Sequence, residues 1–253
     1  KFETTASGVD VTGRMAINDG NDNLLFGDAA GDALTTGSSN IAIGTNALSA
    51  EDTGARSVAI GEGALQVQNN DNNNYNIAIG HHAGHVITTG VNNTLIGGLA
   101  GDALTTGVNN VAIGRNALTT EDSGSYSVAI GAYALEDQNV DNAYNVAVGQ
   151  EAGRNVTSGA FNNIIGGLAG DALTSGARNI VLGYEALSTE DTGNDNVAIG
   201  FRALKNQNYD GSAYNVAIGK DSGKEVTTGV QNTLLGGFAG DALTTCTRNV
   251  AIG

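Results

Sequence analysis

Asn110-Val111-Ala112-Ile113-Gly114 decides the fold, because the chain restates this stretch from one end to the other. It returns, with small edits, at 40–44, 57–61, 76–80, 127–131, 145–149, 196–200, 215–219 and 249–253. Taking the closing glycine as a ruler, copies end at Gly27, Gly44, Gly61, Gly80, Gly97, Gly114, Gly131, Gly149, Gly166, Gly183, Gly200, Gly219, Gly236 and Gly253. The intervals are 17 residues, stretched to 19, 18 and 19 before Gly80, Gly149 and Gly219. So short a period marks a solenoid. Twelve of the fourteen copies carry Asn four residues before the glycine, and Ser57 and Ser127 stand in the other two.

Successive side chains of an extended segment point to opposite faces. The branched Val111 and Ile113 are therefore expected to fill the core, leaving Ala112 on the other face. An attachment-rod reading depends on that orientation, and Val111 and Ile113 pointing outward into water would remove it. Gly114 lets the chain bend where a Cβ would obstruct, and Ala117-Leu118 add a second small apolar step. Each unit reads as one coil of about two short strands and two turns.

A longer period lies above the first. Some coils follow the glycine with Ala-Leu, as in Ala47-Leu48 and Ala117-Leu118, whereas others put Gly in the Leu slot and a large apolar residue three places later, as in Ile87, Leu104 and Val156. The result is a four-coil block of 69 or 70 residues, visible in the matching runs 98–104 and 167–173. The expected fold is all-β, a parallel β-solenoid of 13–14 coils of 17–19 residues over 24–253. Residues 1–23 break the repeat. Phe2, Thr4, Val9 and Val11 alternate as a strand or a hairpin around Ser7-Gly8 would, and 1–23 reads as a cap or connector that shields the first coil's edge.

Composition agrees with a thin column. In 253 residues there are 38 Gly, no Pro, no Trp and 5% aromatic residues, too little bulk for a thick core. The formal charge of −15 disfavours nucleic acid, which requires a basic surface, and likewise an anionic membrane. No apolar run approaches the ~20 residues of a membrane span, so no membrane insertion is expected, and no signal-peptide pattern is present. Starting at Lys1 and stopping in mid-pattern at Gly253, the chain reads as a piece whose address labels lie outside it. The single cysteine, Cys246, excludes a disulfide framework within the chain and reads as a free thiol in a slot that is Gly in sister blocks.

Several features bear on chemistry. The three longer coils carry polar insertions at 66–75, 136–144 and 205–214, each ending in Tyr. Loops that reach solvent often carry binding, so Asp71, Tyr75, Asp141, Tyr144, Asp210 and Tyr214 are the candidate surface-binding residues, on one side and ~19 Å apart at four coils of 4.8 Å. The acidic pairs Glu51-Asp52, Glu121-Asp122 and Glu190-Asp191 read as solvated turns; paired carboxyl chemistry needs the groups to face each other, and the alternative is a divalent cation such as Ca2+. The run 97–104 returns too rarely for a calcium roll. His81, His82 and His85, all in one coil, are the metal candidates, which could meet their copies around a three-fold axis. The Asn column reads as stacked amides that bond neighbouring coils and satisfy turn backbone, and the Thr pairs as turn chemistry rather than an ice-binding face. No catalytic residue and no resident cofactor are expected.

Ser127-Val128-Ala129-Ile130-Gly131 with Ala134, and its relatives over 24–253, resemble the head repeats of trimeric autotransporter adhesins of the YadA type and the similar repeats of bacteriophage tail fibres. The opening run 2–13 looks like a segment of marine phage fibre proteins, which favours the virion. The resemblance implies a left-handed β-roll in a homotrimer, with the Ala112 face packed between chains. Function is then expected to be that of a non-enzymatic tail or neck fibre shaft in host attachment, with a host cell-surface glycan or protein as receptor. A bacterial surface adhesin or extracellular filament is one alternative and a tailspike-like polysaccharide depolymerase another; location is the virion, the extracellular space or the cell surface.

Overall fold

The computed structural model describes residues 3–5, 8–10 and 19–253. Strands β1 (Glu3–Thr5) and β2 (Gly8–Asp10) pair antiparallel, with Glu3 opposite Asp10 and Thr5 opposite Gly8. That is the backbone of the expected hairpin, although Phe2, Ser7 and Val11 lie outside the described residues, as does most of the 1–23 segment.

From β3 (Leu24–Phe26) to β16 (Val250–Ile252) every repeat contributes one three-residue strand, and the fourteen strands form a single sheet whose order follows the sequence. All neighbours are parallel and in register. Between β8 (Val111–Ile113) and β9 (Val128–Ile130), Val111 pairs with Val128, Ala112 with Ala129 and Ile113 with Ile130. The register survives the longer coils, with Val58 opposite Ile77, Val128 opposite Val146 and Val197 opposite Val216. Extra residues are therefore absorbed outside the strands. Thirteen intervals of ~4.8 Å give a column on the order of 62 Å long. The described residues include no helix, and so none long and apolar enough to cross a membrane.

Two expectations need correction. Each coil holds one strand rather than two, because Ala117-Leu118 lies in a turn. The strand is also turned the other way: Ala112 is fully buried, while Val111 and Ile113 are only half-buried on the outer face. The physical reason is the width of the coil. Its interior holds the strand-centre residue, the Ala three places after the closing glycine, and one large side chain, as with Ala112, Ala117 and Leu118. Where the centre is itself large, the slot four places after the glycine is emptied. A Cβ on Gly101 would lie 2.9 Å from a Leu95 methyl, and one on Gly84, in the coil before, 2.7 Å from the other. Gly170 sits against Ile164 and Leu173, and Gly240 against Leu234 and Leu243, in the same manner. A Leu or Ile centre thus empties this slot in its own coil and in the coil before, as Gly153 against Ile164 and Gly223 against Leu234 also show, and a close-packed interior requires that accommodation.

When that slot is filled it is filled by leucine in a left-handed conformation, as at Leu48 (φ 54°), Leu118 (φ 55°) and Leu187 (φ 49°). A β-branched residue is a poor fit to left-handed backbone, which explains why Val and Ile do not occur there. The closing glycines are stricter still: Gly114 has φ 135°, and a Cβ on it would stand 2.5 Å from the carbonyl carbon and oxygen of Gly131.

Candidate functional site

Behind the strand, the residue four before each glycine builds a buried ladder. Asn110 Oδ1 accepts from Ser127 N at 3.0 Å, Asn110 Nδ2 donates to Gly124 O at 2.8 Å, and Asn110 N donates to Asn93 Oδ1 at 2.9 Å. The same two-pronged contact recurs at Asn40, Asn162 and Asn232. An Asn amide offers both a donor and an acceptor, so one side chain satisfies two buried backbone groups of the next coil, as the stacked-amide expectation requires. Threonine hydroxyls do turn chemistry of the same kind, with Thr105 Oγ1 donating to Asp122 O at 2.9 Å.

The insertions are part of this framework. Gln68, Gln138 and Gln207 are fully buried. Gln138 Nε2 donates to Ser127 Oγ at 2.9 Å and to Glu121 Oε2 at 3.0 Å, while its Oε1 accepts from Asn145 Nδ2 at 2.8 Å. Gln68 bridges Ser57, Glu51 and Asn76 identically. The longer coil thus carries the glutamine that compensates for Ser in the Asn ladder. Where Asn196 keeps its amide, Gln207 still joins Glu190 to Asn215.

The acidic pairs are not solvated turns throughout. Asp122 is exposed and Asp52 and Asp191 are partly so, but Glu51, Glu121 and Glu190 are wholly buried. Glu121 accepts from Gly124 N at 2.7 Å, Gln138 Nε2 at 3.0 Å and Val140 N at 3.3 Å. Such donors orient a carboxylate for structure rather than for a cation, which would have to displace them. Burial pushes the Glu121 carboxyl above the usual glutamate range, against the opposing pull of those hydrogen bonds. The native state therefore holds this proton more tightly than the unfolded chain. Stability from this group is greatest below the ordinary glutamate pKa and is lost as pH rises toward the raised value. Glu121→Gln abolishes that titration and sets an amide donor against N–H groups, an expected loss of about 1–3 kcal/mol. Urea midpoints of parent and variant at several pH values check this, with the gap between them narrowing as pH rises.

On the rim, the residue five before each glycine is left-handed in every coil and points outward along one column. Tyr75, Tyr144 and Tyr214 (all φ 51°) share it, about half-exposed, four coils apart. Tyr144 is stacked between Tyr126, 5.0 Å away and 3° from parallel, and Phe161, at 5.6 Å and 6°. Tyr75 lies under the Arg56 guanidinium, which also donates to its hydroxyl at 3.1 Å. Next to Tyr214, Asp195 is held by Arg178 at 2.7 and 3.0 Å and by Ser212; the Arg178 hydrogen bond, foremost, keeps its carboxyl below the ordinary range. The candidate loop acids also pair downward: Asp71 accepts from Thr53 Oγ1 at 2.7 Å, Asp141 from Ser123 Oγ at 2.8 Å and Asp210 from Thr192 Oγ1 at 2.7 Å. The three tyrosines thus lie along one ledge, and each loop acid is bound by a hydroxyl of the coil before it. Tyr144 is stacked on both sides and Tyr75 lies beneath Arg56, so these rings offer outward chiefly their edges and hydroxyls. Those groups suit hydrogen bonding to polar surfaces more than stacking on a sugar ring.

Tyr126 and Phe161 were missed because the reading followed the insertions; their offset from the closing glycine, equal to that of Tyr144, was the available signal. The three histidines stack with one another, His81 on His82 at 4.0 Å and His82 on His85 at 4.3 Å. Cys246 is an exposed free thiol. A concavity of about 270 Å³ lies between Lys224, Glu225, Phe238 and Asp241.

No family model, curated protein or solved structure matches the chain. Its own geometry is therefore what bears on function.

The outward face of the sheet completes that geometry. One of its two rows runs Phe26, Ile43, Ile60, Ile79, Ile96, Ile113, Ile130, Val148 and onward to Ile252, aliphatic at every step after Phe26. The other is interrupted only by Thr94, Asn163 and Thr233, one polar residue per block.

Proposed function

We propose that the chain is the shaft of a non-enzymatic homo-oligomeric fibre that presents repeated weak contacts to a surface, most simply a phage tail or neck fibre acting in host attachment. The observation that carries this reading is the apolar stripe. Two residues wide and ~62 Å long, it covers on the order of 500 Å², at the upper end of what soluble monomers leave exposed. The outward Val111 and Ile113 remove the attachment rod as a solitary column in water, and the reading proposed here requires that other copies of the same face cover the stripe. The resemblance supplies the number three. It also requires revision: the branched residues, not the Ala112 row, are the surface for packing between chains. The ledge of Tyr75, Tyr144 and Tyr214 repeats with the blocks, and binding through repeated sites gains strength from multiplicity rather than from one pocket.

Sedimentation equilibrium of the chain at micromolar concentration tests the proposal. A trimer mass is expected, with the double variant Val111→Asp and Ile113→Asp, both half-buried, shifting it to monomer while circular dichroism keeps its β signal. A parent chain that sediments as a monomer removes the fibre reading.

A further inference from the structure

One step of the column differs from all others. At the position just after the closing glycine, Glu62 and His81 occupy adjacent coils, and the next coil has Gly98. The backbone fixes the step, with His82 N donating to Glu62 O at 2.9 Å. A carboxylate oxygen of Glu62 and ring nitrogens of His81 and His82 all lie within 4.8 Å of one another. These three side chains form no hydrogen bond or ion pair among the described residues, although histidine rings and carboxylates elsewhere on the column are engaged, as His85 is with Gln66 at 3.0 Å.

Space is kept clear on both sides. A Cβ on Gly63 would lie 2.5 Å from His82 Cδ2 and 3.0 Å from its Nε2, so glycine there is what lets the imidazole lie across the coil below. Above His81, a Cβ on Gly98 would meet nothing nearer than 4.0 Å. Beyond His85 stands Asp102, whose buried Oδ1 has no hydrogen-bond partner. Three imidazoles with no cation beside them, between two acidic groups, make a locally electronegative step with nitrogen donors.

We propose that Glu62, His81 and His82 bind one divalent transition-metal ion within a single chain, zinc being the representative ion. Two imidazole nitrogens and a carboxylate oxygen are the donor set that zinc, nickel and copper accept. Water fills the remaining positions. The rings stand parallel without metal, so chelation requires His81 to change rotamer, which its exposure permits. The site needs no second copy around an axis and does not rest on the fibre reading.

Isothermal titration of the whole chain with zinc chloride tests it, and cobalt(II) absorption reports the coordination. One ion per chain is expected. His81→Gln, which installs the residue that Gln150 places at the same slot, weakens zinc at least tenfold, and Glu62→Gln at least threefold, with denaturation midpoints in EDTA equal to the parent. Glu62→Gln alters an exposed, unbonded group and keeps the test valid whatever His81→Gln does to folding. Zinc binding far below one ion per chain, or both variants within twofold of the parent, overturns the assignment.

Discussion

Gly114→Ala is expected to destabilise the column by about 3 kcal/mol or more, the combined effect of forbidden backbone and a collision that neither partner can relieve. The new Cβ would stand 2.5 Å from the Gly131 carbonyl, and Gly131 in turn faces Gly149 at 2.3 Å. These are backbone atoms of the next coil, so relief means opening the stack. Coils in such arrays are coupled only to their neighbours; the damage should therefore divide the cooperative unit, and urea unfolding should resolve into two transitions. Gly98→Ala is the control. Its φ lies outside the left-handed region, and its Cβ would have open space, so removing glycine's unfolded-state freedom should leave stability unchanged or raise it by up to about 1 kcal/mol. Equal midpoints for the two variants would show that close coil contact does not depend on the glycine column.

Asn110→Asp is expected to be the most damaging isosteric change, at about 3–5 kcal/mol for a buried charge without a partner. The acceptor to Ser127 N survives, but Nδ2, which donates to Gly124 O at 2.8 Å, becomes an oxygen facing an oxygen. Asn110 is almost wholly buried, and no cation bonds to it. The carboxyl should therefore be driven to its neutral form, with a native pKa above its unfolded value. Stability lost at pH 7 is regained as pH falls through that raised value, because the protonated acid can again donate to Gly124 O. Thermal midpoints at pH 4 and pH 7 decide the matter; a deficit independent of pH would mean that the ladder tolerates the charge.

Much of this architecture is legible in the residues. The glycine ruler gives the coil count, the boundaries and the solenoid, and Asn at minus four gives the ladder. Strand orientation was misread because hydrophobicity alone ranks Val and Ile above Ala as core. The chain carries the contrary signal in its own covariation: Leu25, Leu95, Ile164 and Leu234 at strand centres coincide with Gly31, Gly101, Gly170 and Gly240, as only residues sharing one interior would. Gly84, Gly153 and Gly223, each one coil before a large centre, belong to the same signal, and the smaller Val181 coexists with Leu187. Burial of Glu51, Glu121 and Glu190 was hidden for another reason. An acidic pair next to polar residues looks solvated, and only the three-dimensional return of Gln68, Gln138 and Gln207 covers it. Of the candidate site, the tyrosine column was visible as spacing, whereas the stacking on Tyr144 depends on Tyr126 and Phe161 in neighbouring coils.

The one-strand-per-coil stack has a mechanical consequence. Tension along the axis is borne by successive layers in series, each held by the same short parallel pairing and, in all but the Ser57 and Ser127 layers, by an Asn rung. Such a column lengthens by shedding layers singly from an end, each freeing 17 residues, or ~58 Å of extended chain at ~3.4 Å per residue, in place of ~4.8 Å of height. Load is then dissipated in small repeated steps, and the rest of the column stays intact while one layer gives way.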